Sequence, residues 1–237
     1  MQARTSFITV VLFDIDGTLL DMRGAGRKSF VRTLKTAFDW DDEIPYINFA
    51  GNTDLNVLQQ VFDRRQRRLT DADKALFFSQ LPIKLEQSAG QVQLILYPGV
   101  RQLLDRLSAD PQVILGLVTG NVETCARIKL RQFDLHNHFV LGAFGDDHAD
   151  RREIARLALQ RIREALKAGQ RIGALFLIGD TPFDIEGAKS IGATSIGVAT
   201  GKFGHDELRA AGADHVLTDL SETESVLKIL DLDHRPT

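Results

Sequence analysis

Asp14, Ile15, Asp16, Gly17 and Thr18 follow directly on the apolar run Thr9, Val10, Val11, Leu12 and Phe13. A short β-branched-rich run bounded by a glycine reads as a buried strand. Side chains alternate along a strand, so Asp14 and Asp16 leave it on one side if the chain stays extended. Carboxylates that close repel each other and cost much to desolvate. A hard divalent cation relieves both penalties, and oxygen ligands suit magnesium. A second acidic segment, Gly179-Asp180-Thr181-Pro182-Phe183-Asp184, follows the apolar residues Leu175, Phe176, Leu177 and Ile178. Thr181 can cap a helix there, Pro182 can take its first position and Asp184 its acid-favouring first turn. Asp180 is left without a structural task.

Two further segments complete the set. Thr119-Gly120-Asn121 follows Ile114, Leu115, Gly116, Leu117 and Val118. A hydroxyl and free N–H groups at a helix start make an anion site. Taken alone, a plain turn into a helix capped by Asn121 is the simpler reading. Arg151 and Arg152 open a helical pattern after Asp150. They read either as a solvated helix start, although cations there oppose the helix dipole, or as positive charge for a phosphate.

The elements that must position these residues alternate. Strand-like runs fall at Ile8–Phe13, Val113–Val118, Phe139–Leu141, Ala174–Ile178, Thr194–Val198 and His215–Leu217. Helical patterns fall at Val100–Leu107, Val122–Phe133, Arg152–Lys167, Pro182–Ser190, Asp206–Ala211 and Glu222–Leu230. The alternation predicts an α/β fold with a parallel sheet, in which ligands bind beyond the carboxyl ends of the strands. Residues 23–96 break the pattern. Arg27–Phe38, a segment capped by Asp54, and Ala72–Leu85 read as helices with almost no strand signal. The expected organisation is a core of residues 1–22 and 97–237 with a helical cap of residues 23–96 inserted after the first strand, where it can cover a site and exclude water.

Bulk properties narrow the class. The chain has 237 residues, 43% apolar and 26% charged, as for a globular protein. A net charge of −3 gives no electrostatic footprint for nucleic acid. The single cysteine, Cys125, excludes an internal disulfide and reads as a small buried residue. No apolar run is long enough to span a bilayer, and no signal-peptide pattern opens the chain, so a cytoplasmic location and no membrane partner are expected. Arg64, Arg65, Arg67 and Arg68 read as a solvated face, and Lys202 as a surface lysine near the active-site edge. The polar tail from Asp231 is expected to fray.

In their order and context these motifs resemble the haloacid dehalogenase superfamily of phosphotransferases, and the insert resembles the cap of its phosphoglycolate-phosphatase-type members. The resemblance covers Ile8–Met22 and Tyr97 to near the C-terminus; the cap match, through Gly51-Asn52-Thr53-Asp54, is looser. It implies a Rossmann-like three-layer α/β/α core and a Mg²⁺-dependent phosphatase acting on a small phosphorylated metabolite. Asp14 would be the nucleophile. Asp16 would protonate the leaving alcohol and then deprotonate the attacking water. Asp14, the backbone carbonyl of Asp16 and Asp180 would hold Mg²⁺, with Asp184 as a direct or water-mediated ligand. Thr119 would hydrogen-bond the transferring phosphoryl, with Gly120 and Asn121 beside it, and Thr18 could position Asp16. The family's usual lysine before the second acidic motif is missing, since no lysine lies between Lys129 and Lys167. Arg151 is the first substitute and Arg152 the second. A sugar-phosphate mutase on the same scaffold and a non-catalytic scaffold binding a phosphorylated ligand are the competing readings. A dehalogenase fits less well, because that branch lacks the second aspartate.

Overall fold

The computed structural model describes residues 5–232. Most of the polar tail lies outside them. In chain order the elements are β1 (Ser6–Phe13), β2 (Leu20–Asp21), α1 (Ala25–Phe38), α2 (Asp54–Arg64), α3 (Asp71–Ala89), β3 (Ile95–Leu96), α4 (Val100–Ala109), β4 (Val113–Val118), α5 (Glu123–Arg131), β5 (Leu141–Ala143), α6 (Arg151–Ala165), β6 (Gln170–Gly179), α7 (Pro182–Ile191), β7 (Thr194–Val198), α8 (His205–Ala210), β8 (His215–Leu217) and α9 (Thr223–Ile229). Six strands form one parallel sheet in the order β5-β4-β1-β6-β7-β8, with β1 between β4 and β6.

Alternation along β1 builds the layers. Ile8, Val10 and Leu12 pack with Ile154, Ala155, Ala158 and Ile162 of α6 and Ala188 of α7. Val11 and Phe13 join the opposite cluster, with Leu103, Leu104 and Leu107 of α4, Ala126 and Leu130 of α5 and Val226 and Leu227 of α9. Both faces of the sheet are therefore covered, as a parallel sheet requires. This is the three-layer α/β/α arrangement expected.

Three differences from the sequence reading have local causes. β6 begins at Gln170, because its first half, only partly buried, pairs with Ser6–Ile8, and its mixture of Arg171 and Gly173 carries little strand signal. The strand expected at Phe139–Leu141 is displaced to Leu141–Ala143. His136–His138 form a 3₁₀ turn instead, and Phe139 is buried with its ring edge-on to Phe13 at 5.9 Å between centroids. The small residues Gly142 and Ala143 hid the true strand. β2 and β3, unforeseen, pair antiparallel where the chain leaves the sheet and returns to it.

Between β2 and β3 lie α1, α2 and α3. Phe30, Phe38, Phe62 and Phe77 meet there, with Phe30 and Phe77 rings 4.6 Å apart and Phe38 edge-on to Phe62 at 5.2 Å. The arginine run is exposed, as expected, and two of its members also make contacts. Arg65 pairs with Asp42 at 3.0 Å and covers the Trp40 ring, and Arg67 pairs with Asp73 at 2.8 Å. Long cationic side chains bury their stems on apolar surface in this way.

Candidate active site

Strand register brings the site residues together. Phe13 pairs with Leu117 of β4 and with Ile178 of β6. The chain one step beyond carries Asp14 on the central strand, and Thr119 and Asp180 just past its neighbours. The Asp14 N–H still bonds the Ile178 carbonyl at 3.0 Å, which fixes the nucleophile candidate to the sheet.

The chain does not stay extended after Phe13. The Ile15 carbonyl accepts from the N–H groups of Leu19 at 2.9 Å and Leu20 at 3.1 Å, and Gly17 sits at φ +84°. The two aspartates therefore part company, against the expectation that they leave on one side. Asp14 turns into a buried cluster with Asp180 and Asp184, whose carboxylate oxygens lie within 4.8 Å of one another. Asp16 meets Lys129 instead, with Nζ 2.8 Å from Oδ1 and 2.6 Å from Oδ2.

Arg151, buried at the start of α6, enters the acidic cluster. Its Nη2 lies 2.8 Å from Asp14 Oδ1 and 2.6 Å from Asp184 Oδ1, and donates to the Val118 carbonyl at 3.2 Å. Its Nε has no partner. Asp184 also accepts from the N–H of Thr181 at 3.0 Å and its hydroxyl at 2.7 Å, so both of its oxygens are engaged. Arg152 is not brought to the site. Its guanidinium is exposed and folds back on Asp150, with Nη2 2.6 Å from Oδ2. Thr18 is buried and donates to Asp180 Oδ1 at 3.2 Å, so it positions the second acidic motif and not Asp16.

Charge in the cluster is poorly balanced. Burial pushes the Asp14 carboxyl up to about 6, Arg151 pulls it down, and Asp184 and Asp16 add to the rise. Burial, then Asp184 and Asp14, hold Asp180 well above the usual carboxylate range. Three carboxylates thus face one guanidinium, an oxygen-only donor set lacking positive charge. A Cβ added at Gly17 would lie 2.3 Å from Asp180 Oδ2, so the backbone there is cut back to leave the carboxylate free. The residues fit a hard divalent cation.

Thr119-Gly120-Asn121 makes a different set of contacts. Asn121 does not cap α5; Val122 takes that position. The Asn121 amide donates to Asp16 Oδ2 at 2.7 Å and to Thr119 Oγ1 at 2.8 Å, and its Oδ1 accepts from Lys129 at 2.6 Å. The Gly120 carbonyl accepts the N–H of Asp54 at 2.7 Å. A side chain at Gly120 would meet the Asn52 carbonyl at 2.0 Å, so only glycine permits this approach. α2 is capped by Thr53, whose hydroxyl accepts from the Asn56 N–H at 3.1 Å, and not by Asp54. Asp54 reaches across instead and accepts the Val122 N–H at 2.9 Å, and Thr53 donates to the Ala149 carbonyl at 3.0 Å. Burial pushes the Asp54 carboxyl up to about 6, against the pull of Lys129.

Lys129 escaped the sequence reading. The signal was available: Val122, Cys125, Ala126, Lys129 and Leu130 share helical spacing, and a lysine sits in that apolar stripe. Burial opposes its charge, but the attraction and hydrogen bonding of Asp16, with Asp54 behind it, together raise its pKa. A cavity of about 470 Å³ joins these residues, lined by Asp14, Asp16, Thr119, Lys129, Arg151 and Asp180 from the sheet side and by Arg27, Phe30 and Phe49 from the insert. Arg27 is already engaged by the carbonyls of Ile44 at 2.8 Å and Ile47 at 2.7 Å. Lys202 also lines the cavity, as its expected edge position implied.

A parallel α/β sheet carrying a buried acidic cluster at its carboxyl edge, beneath a helical insert, is an α/β architecture with a candidate metal site. The family model for haloacid dehalogenase-like hydrolases matches residues 11–198, and the chain belongs to that family. It is 28% identical over 197 residues to a phosphoglycolate phosphatase of Agrobacterium fabrum, covering 81% of each chain. It is 27% identical over 222 residues to a 5'-nucleotidase of Pseudomonas aeruginosa, covering 92% of this chain and 95% of that protein. Its fold is similar to that of CbbY from Rhodobacter sphaeroides, solved in complex with phosphate, with a TM-score of 0.67 at 22% identity, covering 91% of this chain and 96% of that one.

Proposed function

We propose that the protein is a Mg²⁺-dependent phosphomonoester hydrolase acting on a small metabolite through an aspartyl-phosphate, with residues 23–96 as its cap. The observation that carries this reading is Asp14, fixed at the end of the central strand, buried, and in contact with Arg151 beside Asp180 and Asp184. A carboxylate attacks a phosphate dianion only when like-charge repulsion is removed. Arg151 contributes one positive charge; a cation held by Asp14, Asp180 and Asp184, with the Asp16 carbonyl, would supply the rest against the transferring oxygens. The engagement of both Asp184 oxygens favours a water-mediated role for it.

Asp14 forms a bond to phosphorus as the bond to the leaving alcohol breaks, and Asp16 gives that oxygen its proton. Asp16 then takes a proton from the water that attacks the same phosphorus, releasing phosphate and restoring Asp14. Dividing the displacement in two lowers each barrier. The separation of the two aspartates supports unequal tasks, one in the acidic cluster and one facing the cavity. Thr119 lines that cavity, and its hydroxyl accepts from Asn121, which leaves its own proton for the phosphoryl and supports a role in holding it. The cavity volume suits a ligand of metabolite size, and a phosphoglycolate-type ester is the first candidate in view of the relatives.

Phosphate release from a broad panel of esters, with p-nitrophenyl phosphate included, tests the reading. Turnover with Mg²⁺ that is abolished by chelator and by Asp14→Asn is expected. Failure to release phosphate from any ester would leave a binding scaffold. A requirement for a bisphosphate activator together with isomerised product would favour the mutase.

A further inference from the structure

We propose that Lys129 is a positioning residue that holds Asp16 in place to protonate the leaving group, an inference that rests on the phosphatase reading. Lys129 lies in the last turn of α5, 5% exposed, and lines the cavity beside Asn121. Its Nζ makes three hydrogen bonds, to both oxygens of Asp16 and to Asn121 Oδ1 at 2.6 Å, which uses all three of its protons. Burying an ammonium is costly unless it is fully paired, and here the pairing is directed wholly at one carboxylate and the amide beside it. Asn121 closes the clamp, donating to Asp16 Oδ2 at 2.7 Å and to Thr119 Oγ1 at 2.8 Å.

The clamp has a mechanical consequence. The Asp16 side chain is 40% exposed and faces the cavity, so packing alone does not fix its rotamer. Released, it could turn toward Asp14, where it would add a fourth carboxylate to a cluster already short of positive charge. Lys129 and Asn121 hold it outside that cluster. Oδ2 carries two donors and Oδ1 one, so Oδ1 keeps more capacity for the proton shared with the leaving oxygen. The same amide links the acid to Thr119, which places the proton donor and the phosphoryl-facing hydroxyl on one rigid unit.

Esters with different leaving groups separate this role from simple structural support. An alkoxide needs a proton as it departs, whereas dinitrophenolate does not. In a reaction that proceeds through a phospho-enzyme, kcat/KM reports only the steps up to transfer onto Asp14, so later hydrolysis does not mask the effect. For Lys129→Met, kcat/KM is expected to fall about 100-fold on an alkyl phosphate and to stay within about threefold on dinitrophenyl phosphate, the range general acid catalysis supplies. Both constants come from the same folded enzyme, so the ratio is unaffected by any unfolded fraction. Lys129→Arg, which keeps the charge, is the second variant and should give a smaller rise in the same ratio. Equal losses on the two esters, or no loss on either, would overturn the inference and leave the phosphatase reading standing. A wild-type enzyme that turns over neither ester would remove both.

Discussion

Arg151 stands where one cation must serve three buried carboxylates, and the manner of its contacts decides what could replace it. The approaches to Asp14, Asp184 and the Val118 carbonyl all run through Nη2, while Nε is unpartnered. The site thus uses the guanidinium as a point charge and not as a fork, which is the use a lysine ammonium also satisfies. Arg151→Lys is accordingly expected to keep kcat within about tenfold of wild type. Arg151→Met leaves the buried carboxylates uncompensated and should cost about 3–5 kcal/mol of stability, with activity lost. Steady-state kinetics and chemical denaturation of both variants check this; a lysine variant as impaired as the methionine one would refute the point-charge account. Arg151 was legible in the sequence because it opens a helix just where the motif order calls for a cation. Lys129 was not, because its partner Asp16 is 113 positions away and only the fold brings them together. Thr18 was assigned to the wrong aspartate for the same reason: the turn at Gly17 directs it to Asp180.

At the scale of elements, the N-terminus of α2 is the latch between insert and sheet. Thr53 caps α2 and grips Ala149, and Asp54 both donates to Gly120 and accepts from Val122. The strands β4, β7 and β8 were legible to the residue because they are short apolar runs between clear turns. The latch was not, since a threonine and an aspartate before an apolar helical stripe look alike as caps. Its pH dependence has a definite sign. Burial holds the Asp54 carboxyl at about 6 against a usual 3.8. The folded state therefore binds this proton more tightly than the unfolded one, and stability falls as pH rises between those values, then levels off above about 6. Asp54→Asn, which keeps an acceptor for Val122 without the charge, should be more stable than wild type at pH 7 by about 1–3 kcal/mol, with the gain vanishing near pH 4. Thermal unfolding of the pair across pH 4 to 7 measures it, and a gain that is constant across the range would exclude Asp54 as its source.

For the whole molecule, the parallel sheet gathers its chemistry at one edge and accepts repulsion there. β1 and β6 are neighbours in register, so their carboxyl ends deliver Asp14 and Asp180 to one buried place, and α7 adds Asp184. Among the described residues no helix is long and apolar enough to cross a membrane, and the helices instead sheathe the sheet or form the insert above its carboxyl edge. The core supplies enough stability to hold three carboxylates against a single guanidinium. That imbalance makes metal binding and folding two views of one quantity, because a cation that binds only the folded site stabilises it in proportion to its occupancy. Asp180, held well above the usual carboxylate range by burial and by Asp184 and Asp14, is where relief is greatest. Asp180→Asn can still accept from Thr18 while removing one charge. In chelator at pH 7 it should melt about 2–4 °C above wild type, the shift that roughly 1 kcal/mol gives a chain of this size. Adding Mg²⁺ should raise the wild-type melting temperature and leave the variant nearly unmoved, so that the two curves converge or cross. As pH falls through about 6, where Asp14 takes up its proton, the advantage of the variant in chelator should shrink, because the wild-type cluster is then relieved by protonation instead. A variant that melts below wild type without metal, or gains as much from Mg²⁺, would show that the acidic cluster is neither strained nor the seat of the cation.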